Sequence, residues 1–417
     1  MNSQLYNKLK LTFIYLLITA LAGAFLRFMF IYDPGVFNYQ YLLHSHSHTA
    51  ILGWVYNAFF LAILKSFLPE KINSKKYNYI FWLTQIAVIG MTISFAVQGY
   101  AAVSISFSTL HIIMSYIFIY CFVKDSRRKY KSSELISLKF IYGGLFFLFL
   151  SSFGPWGLAI IVANGLAETD LYKQAIYFYL HFQYNGWFIF SLIGVWVVSF
   201  EKFLNENEVK SLKSAFYLLF AANIPAYFLS LLGFKVGVVI WLMALISAFV
   251  QLFGAVIMFI VLYPLQKRVF NDGSGWPAKL FKFSFFLLLV KFVLQLLSAL
   301  PGAGEPAFVS REVIIAFIHL VMLGVVTPGL FGWLGFNSLI ELNNKLTVRG
   351  IKIYLGGFVL SEVLLFYPSL VLWFRTPAIP YYSYLLFIST LALLAGVIML
   401  NSCVRSPDIT RSIDLSK

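Results

Sequence analysis

The sequence predicts an all-α integral membrane protein of twelve transmembrane helices, on three observations. Hydrophobic residues make up 60% of the 417 residues and charged residues only 11%, whereas soluble globular domains carry about 25% charged residues. The apolar residues fall in twelve blocks, each near the roughly 20 residues that a helix needs to cross a bilayer. Lys and Arg lie in short runs between those blocks, on alternate connections.

The blocks pair off along the chain. The first, 11–31, follows Lys8 and Lys10 and is too long for a signal-peptide core, so it reads as a retained first span. The second, 47–68, is entered through three histidines and leads into the basic stretch from Lys65 to Lys76. Blocks 79–99 and 103–123 lead to Lys124 through Lys139; 138–162 and 172–199 to Lys202 through Lys213; 212–232 and 236–263 to Lys267 through Lys282. Blocks 280–300 and 312–335 precede Lys345 through Lys352, and 352–373 and 381–402 precede a tail with Arg405, Arg411 and Lys417. Of the 31 basic residues, only Arg27, Lys173, Lys235, Arg311 and Arg375 fall toward the other side, and Lys291 lies inside the ninth block.

By the positive-inside rule both termini are cytoplasmic, as expected for a multi-pass protein of the cell inner membrane. The net charge of +15 is therefore a topology signal and not a nucleic-acid footprint. Cys121 and Cys403 are far apart, so neither a disulfide framework nor a thiolate metal site is expected.

That orientation puts all six histidines in the outer half of the membrane. His44, His46 and His48 open the second span, His111 lies in the fourth, His181 in the sixth and His319 in the tenth. At the helical rise per residue, the last three lie roughly 10–15 Å below the outer surface. The phrases "HTAILGW", "HFQYNGW" and "HLVMLGV" recur every fourth helix, so His48, His181 and His319 are each followed five residues later by Gly53, Gly186 and Gly324. The repeat predicts three four-helix quartets around a pseudo-threefold axis, each ending in a histidine-bearing helix. Five residues are about 140° of helix, so each glycine is expected to admit a neighbour on another face.

Ionisable groups inside a membrane are costly and mark pathways or ligand sites. Neutral imidazole is the commonest metal ligand and an axial ligand of haem iron. A proton relay would call for carboxylates, and the histidine-bearing spans have no Asp or Glu in their apolar interiors. Within "HSHSH", His44 and His48 lie about 40° apart on a helix and His46 nearly opposite, so one helix is able to serve two sites.

These features resemble the catalytic subunits of haem-copper oxidases and nitric oxide reductases (cytochrome oxidase subunit I). "HSHTAILGW", "LHFQYNGW" and "IHLVMLGVVTPG" are also similar to the NnrS family of haem- and copper-containing membrane proteins. The resemblance implies that His48 and His319 are axial ligands of a haem b, and that His181, with Tyr184 one turn on, belongs to a second metal site handling nitric oxide or oxygen. Arg27 is the candidate partner of a haem propionate. The chain departs from the superfamily in having no histidine on the seventh helix and a single one on the tenth, so His44, His46 or His111 would complete the ligand set of any copper. An oxidoreductase with an incomplete copper site is one expectation. The others are a non-catalytic haem-based sensor or assembly partner, and a twelve-helix transporter. Lys291, with Gln295 one turn on, is a functional candidate by its depth.

Overall fold

The computed structural model describes residues 3–32, 34–131, 135–270, 275–301, 310–375, 377 and 379–404, and these are helical without a single strand. Eleven described helices are long and apolar enough to cross a membrane, and a bent pair makes a twelfth. They are α1 Ser3–Phe28, α2 Tyr39–Phe67, α3 Lys75–Gln98, α4 Ala102–Lys129, α5 Ile136–Ala163 and α6 Asp170–Phe203. Then come α7 Glu206–Asn223 with its bent continuation Pro225–Leu231, α8 Val238–Val269, α9 Trp276–Ala299 and α10 Arg311–Phe336. The last two are α11 Lys345–Phe374 and α12 Tyr382–Cys403. The chain is an all-α, multi-pass membrane protein. The basic tail residues Arg405, Arg411 and Lys417 lie outside the described residues.

Two boundaries differ from expectation for physical reasons. Helix α2 begins at Tyr39, well before the apolar block, because the Asn38 side chain caps it by accepting from the backbone N–H groups of Gln40 and Tyr41. The three histidines therefore sit inside a helix and not at its mouth. Helix α7 is bent by 46° where Pro225 follows Ile224, since proline has no N–H to continue the ladder.

The chain forms two compact units. The first comprises 1–131, 333–364 and 378–417 and contains α1–α4, α12, most of α11 and the end of α10. At one end of this unit Lys8 donates to the carbonyl of Ile72 (2.7 Å), Lys71 and Lys76 pair with Asp125 (3.0 and 2.6 Å), and Lys129 pairs with Glu70 (2.9 Å). The basic ends of four successive spans thus gather on one side, as alternating helices require. Helix α2 is pinned to α3 at the other end, where Ser45 donates to the carbonyl of Thr92 (2.7 Å) and the Thr49 and Thr92 hydroxyls meet (2.8 Å).

The second unit comprises 132–332 and 365–377, with α5–α9 and most of α10. Small residues bring α5 and α6 together. A Cβ on Gly186 would stand 2.3 Å from the Cβ of Phe147, and one on Gly194 would stand 2.5 Å from the Ile141 side chain. Close backbone approach through small residues is how membrane helices gain packing contact without a hydrophobic drive. At the basic end, Arg268 donates to the carbonyl of Phe203 (3.1 Å) and pairs with Glu208. The third quartet expected from the repeat is divided, with α9 and most of α10 in this unit and α12 and most of α11 in the first.

Candidate functional site

In each of the three spans carrying the repeated phrase, the α-helix gives way to a π-helix at the residue after the histidine. The π segments are Thr49–Val55, Phe182–Phe188 and Leu320–Val326, and each returns to α-helix after seven residues. Nearly every residue in them is buried. Such wide turns are rare, appear mostly singly and concentrate at functional sites. Three at equivalent positions of one chain identify the histidine phrases as a built feature.

Polar side chains brace carbonyls inside two of these π segments, where a buried carbonyl needs a partner. In α2 the Asn57 amide donates to the carbonyl of Gly53 (2.8 Å). Asn57 is itself locked in a reciprocal amide pair with Gln85 of α3 (3.3 and 3.0 Å). In α10 the Ser284 hydroxyl of α9 donates to the carbonyl of Val325 (2.7 Å). The sequence reading missed Asn57, Gln85 and Ser284; a polar side chain nine residues beyond the histidine, or one on the adjacent span, was the available signal.

The histidines of α2 divide between two faces, as their spacing predicts. His48 donates from Nδ1 to the carbonyl of His44 (2.9 Å), which fixes the tautomer and leaves Nε2 with its lone pair. Its ring stacks on Phe95 (4.1 Å between centroids), while His44 meets Tyr100 edge to face (4.6 Å) and Phe95 meets Tyr100 in the same way (4.9 Å). His46 points to α1, where its Nδ1 donates to the carbonyl of Thr19 (3.0 Å) and its ring covers Gly23. Arg27 lies one turn beyond Gly23 on the same helix.

His111 of α4 is buried and packs edge to face on Tyr56 (4.6 Å). Its Nε2 has no hydrogen-bond partner among the described residues. Both histidines belong to the first unit, and His111 packs on Tyr56, which lies on the same helix as His48.

His181 is differently placed. Its Nε2 donates to the carbonyl of Asn223 in α7 (2.8 Å), and its Nδ1 accepts from the Asn185 amide (3.0 Å). Both ring nitrogens are engaged by protein groups. Tyr184 is buried in the π segment against Phe188 (5.8 Å). His319 ends the α portion of its own span in the second unit, as His48 does in the first. No group of three or more His, Cys, Asp or Glu side chains able to hold a metal occurs among the described residues. The chain matches no family model and no curated protein among those compared.

Proposed function

We propose that the protein is a membrane haem protein of electron transfer or small-gas handling, with the Nε2 of His48 as an axial ligand of haem b near the outer face. One observation carries this reading. The His48 imidazole is oriented by a backbone carbonyl through Nδ1, the arrangement that metal-ligating histidines use, and it stands at the start of a π segment that recurs in two other spans. The donor set of the first unit fits iron: the His48 Nε2 keeps its lone pair, and the His111 Nε2 has no hydrogen-bond partner among the described residues. Haem supplies one-electron chemistry or a gas-binding position. Copper is less well served, because His181 would have to give up one of its two hydrogen bonds to bind it.

The test is a dithionite-reduced optical spectrum with metal analysis on the same purified sample. A Soret band with sharp low-spin α absorption is expected, lost in His48→Ala and retained in His44→Ala, since only the backbone of His44 holds His48. His111→Ala and His319→Ala then identify the second ligand by which of them converts the spectrum to high spin. An iron-free preparation, or spectra unchanged in all of these variants, would overturn the reading. A carrier is the second reading, and the break in α7 favours it, because carriers place their sites at interrupted helices.

A further inference from the structure

Helices α3 and α4 run antiparallel in the first unit and touch at two levels. At the basic end Lys76 pairs with Asp125 (2.6 Å), and further in a Cβ on Gly90 would stand 2.4 Å from the Phe107 ring. Lys75 and Lys124 each precede a member of that ion pair by one residue, so each lies about 100° back around its helix from the line of contact. In an antiparallel pair, equal backward rotations bring both residues to the same side. Arg128 follows Lys124 after one turn and continues its stripe. Lys75, Lys124 and Arg128 are exposed, and none of them pairs with an acid among the described residues. Asp125 and Glu70 are already taken by Lys71, Lys76 and Lys129.

Beneath these cations both stripes change character in the same order. Tyr79, one turn in from Lys75, and Tyr120, one turn in from Lys124, are 69% and 65% exposed, and the Lys124 Nζ stands 5.6 Å from the centre of the Tyr120 ring. Ile86 and Ile117, about three turns from Lys75 and Arg128, are exposed as well. Cations, then phenols, then aliphatic side chains follow a phospholipid from its headgroup through the interface to its acyl tail. We propose that this side of the α3–α4 pair binds a phospholipid with a net negative headgroup, its phosphate held among Lys75, Lys124 and Arg128 and an acyl chain laid along Ile86 and Ile117. Charge selects the lipid. Three cations without an internal counter-charge, two of them one turn apart on one helix, repel one another until an anion stands between them. A zwitterionic headgroup carries its own ammonium and relieves less of that repulsion. Lys75 is about 25 Å of helix from Thr92, where α3 holds α2 beside His48, and the site needs no haem.

The experiment adds phosphatidylglycerol or phosphatidylcholine to the purified full-length protein in detergent and follows retained lipid by native mass spectrometry, with excess inorganic phosphate as a competitor. Wild-type protein is expected to retain phosphatidylglycerol in preference to phosphatidylcholine and to keep it against phosphate. The triple variant Lys75→Gln, Lys124→Gln, Arg128→Gln should bind phosphatidylglycerol about tenfold or more weakly. All three side chains are exposed, so its thermal midpoint in phosphatidylcholine should be that of wild type. A control removes the same charge from exposed lysines of the second unit, Lys202→Gln, Lys210→Gln and Lys267→Gln, and should bind as wild type does. The charge-preserving triple Lys75→Arg, Lys124→Arg, Arg128→Lys should do the same. Equal retention of the two lipids, displacement by inorganic phosphate, or equal losses in the two glutamine variants would overturn the assignment, the last because the effect would then be one of net charge.

Discussion

Asn57 does two jobs with one amide. It donates to the Gly53 carbonyl inside the wide turn of α2, and it joins α2 to α3 through Gln85. A buried polar group whose partner is removed costs about 1–3 kcal/mol, and Asn57→Leu strips partners from both the carbonyl and the Gln85 amide. That variant is expected to lower the denaturation midpoint markedly. Adding Gln85→Met should recover part of the loss, because one orphan disappears while the other stays. A double-mutant cycle on the purified protein measures the coupling, expected at about 0.5–3 kcal/mol for groups in direct contact. Strictly additive losses would show that the amide pair contributes nothing. The histidines themselves were legible in the sequence, being scarce and spaced. Their hydrogen bonds were not, since a ring nitrogen's partner depends on which backbone carbonyl the fold brings to it.

At the scale of the element, the spans were readable because a membrane demands apolar runs of a set length. The "His, then Gly after five" regularity was visible as well. Its meaning was not, because a π-helix has no composition of its own: "TAILGWV", "FQYNGWF" and "LVMLGVV" share little beyond the glycine. The expectation that this glycine admits a neighbour holds at Gly53, where a Cβ would stand 3.0 Å from the Tyr15 ring, and at Gly186 against Phe147. The early start of α2 escaped notice because Tyr39–His48 is polar enough to read as a loop, and its cap Asn38 lies nine residues upstream of the apolar block. The polar cluster around Asn223 escaped for the opposite reason. Its members are isolated polar residues on α7 and α8 and a pair on α6, and only the packing of these helices assembles them.

For the whole molecule, the class was legible from composition alone. Each unit gathers its basic helix ends on one side, which is what alternation in the sequence requires. The proposed orientation follows from the positive-inside rule. Reporter fusions placed after Lys76 and after Lys131 are expected to report cytoplasm, and a fusion within the connection between α1 and α2 to report the opposite side. A cytoplasmic signal at that connection would reverse the orientation and move the histidines to the inner half of the membrane. The division into two units was not legible, because the repeat gives a period of four helices and says nothing of which helices pack most closely.

A wide helical turn is, in the arithmetic of the backbone, an α-helix that has absorbed an extra residue while keeping its two flanks in phase. Deletion scanning along α2 should therefore find one permissive window. Removing a residue from an ordinary stretch such as Tyr56–Phe67 rotates everything beyond it by about 100° and turns a buried face toward lipid. Removing Ala50, the one residue of the π segment that is not buried, closes the wide turn into a regular one and leaves both flanks facing as before. Deletion of Ala50 is expected to yield folded, membrane-inserted protein, and deletion of Ala62 to yield little, as judged by the amount recovered as a single peak in detergent. The shortened span would still cross the membrane, but without the local widening that the chain has placed after a histidine in three separate helices.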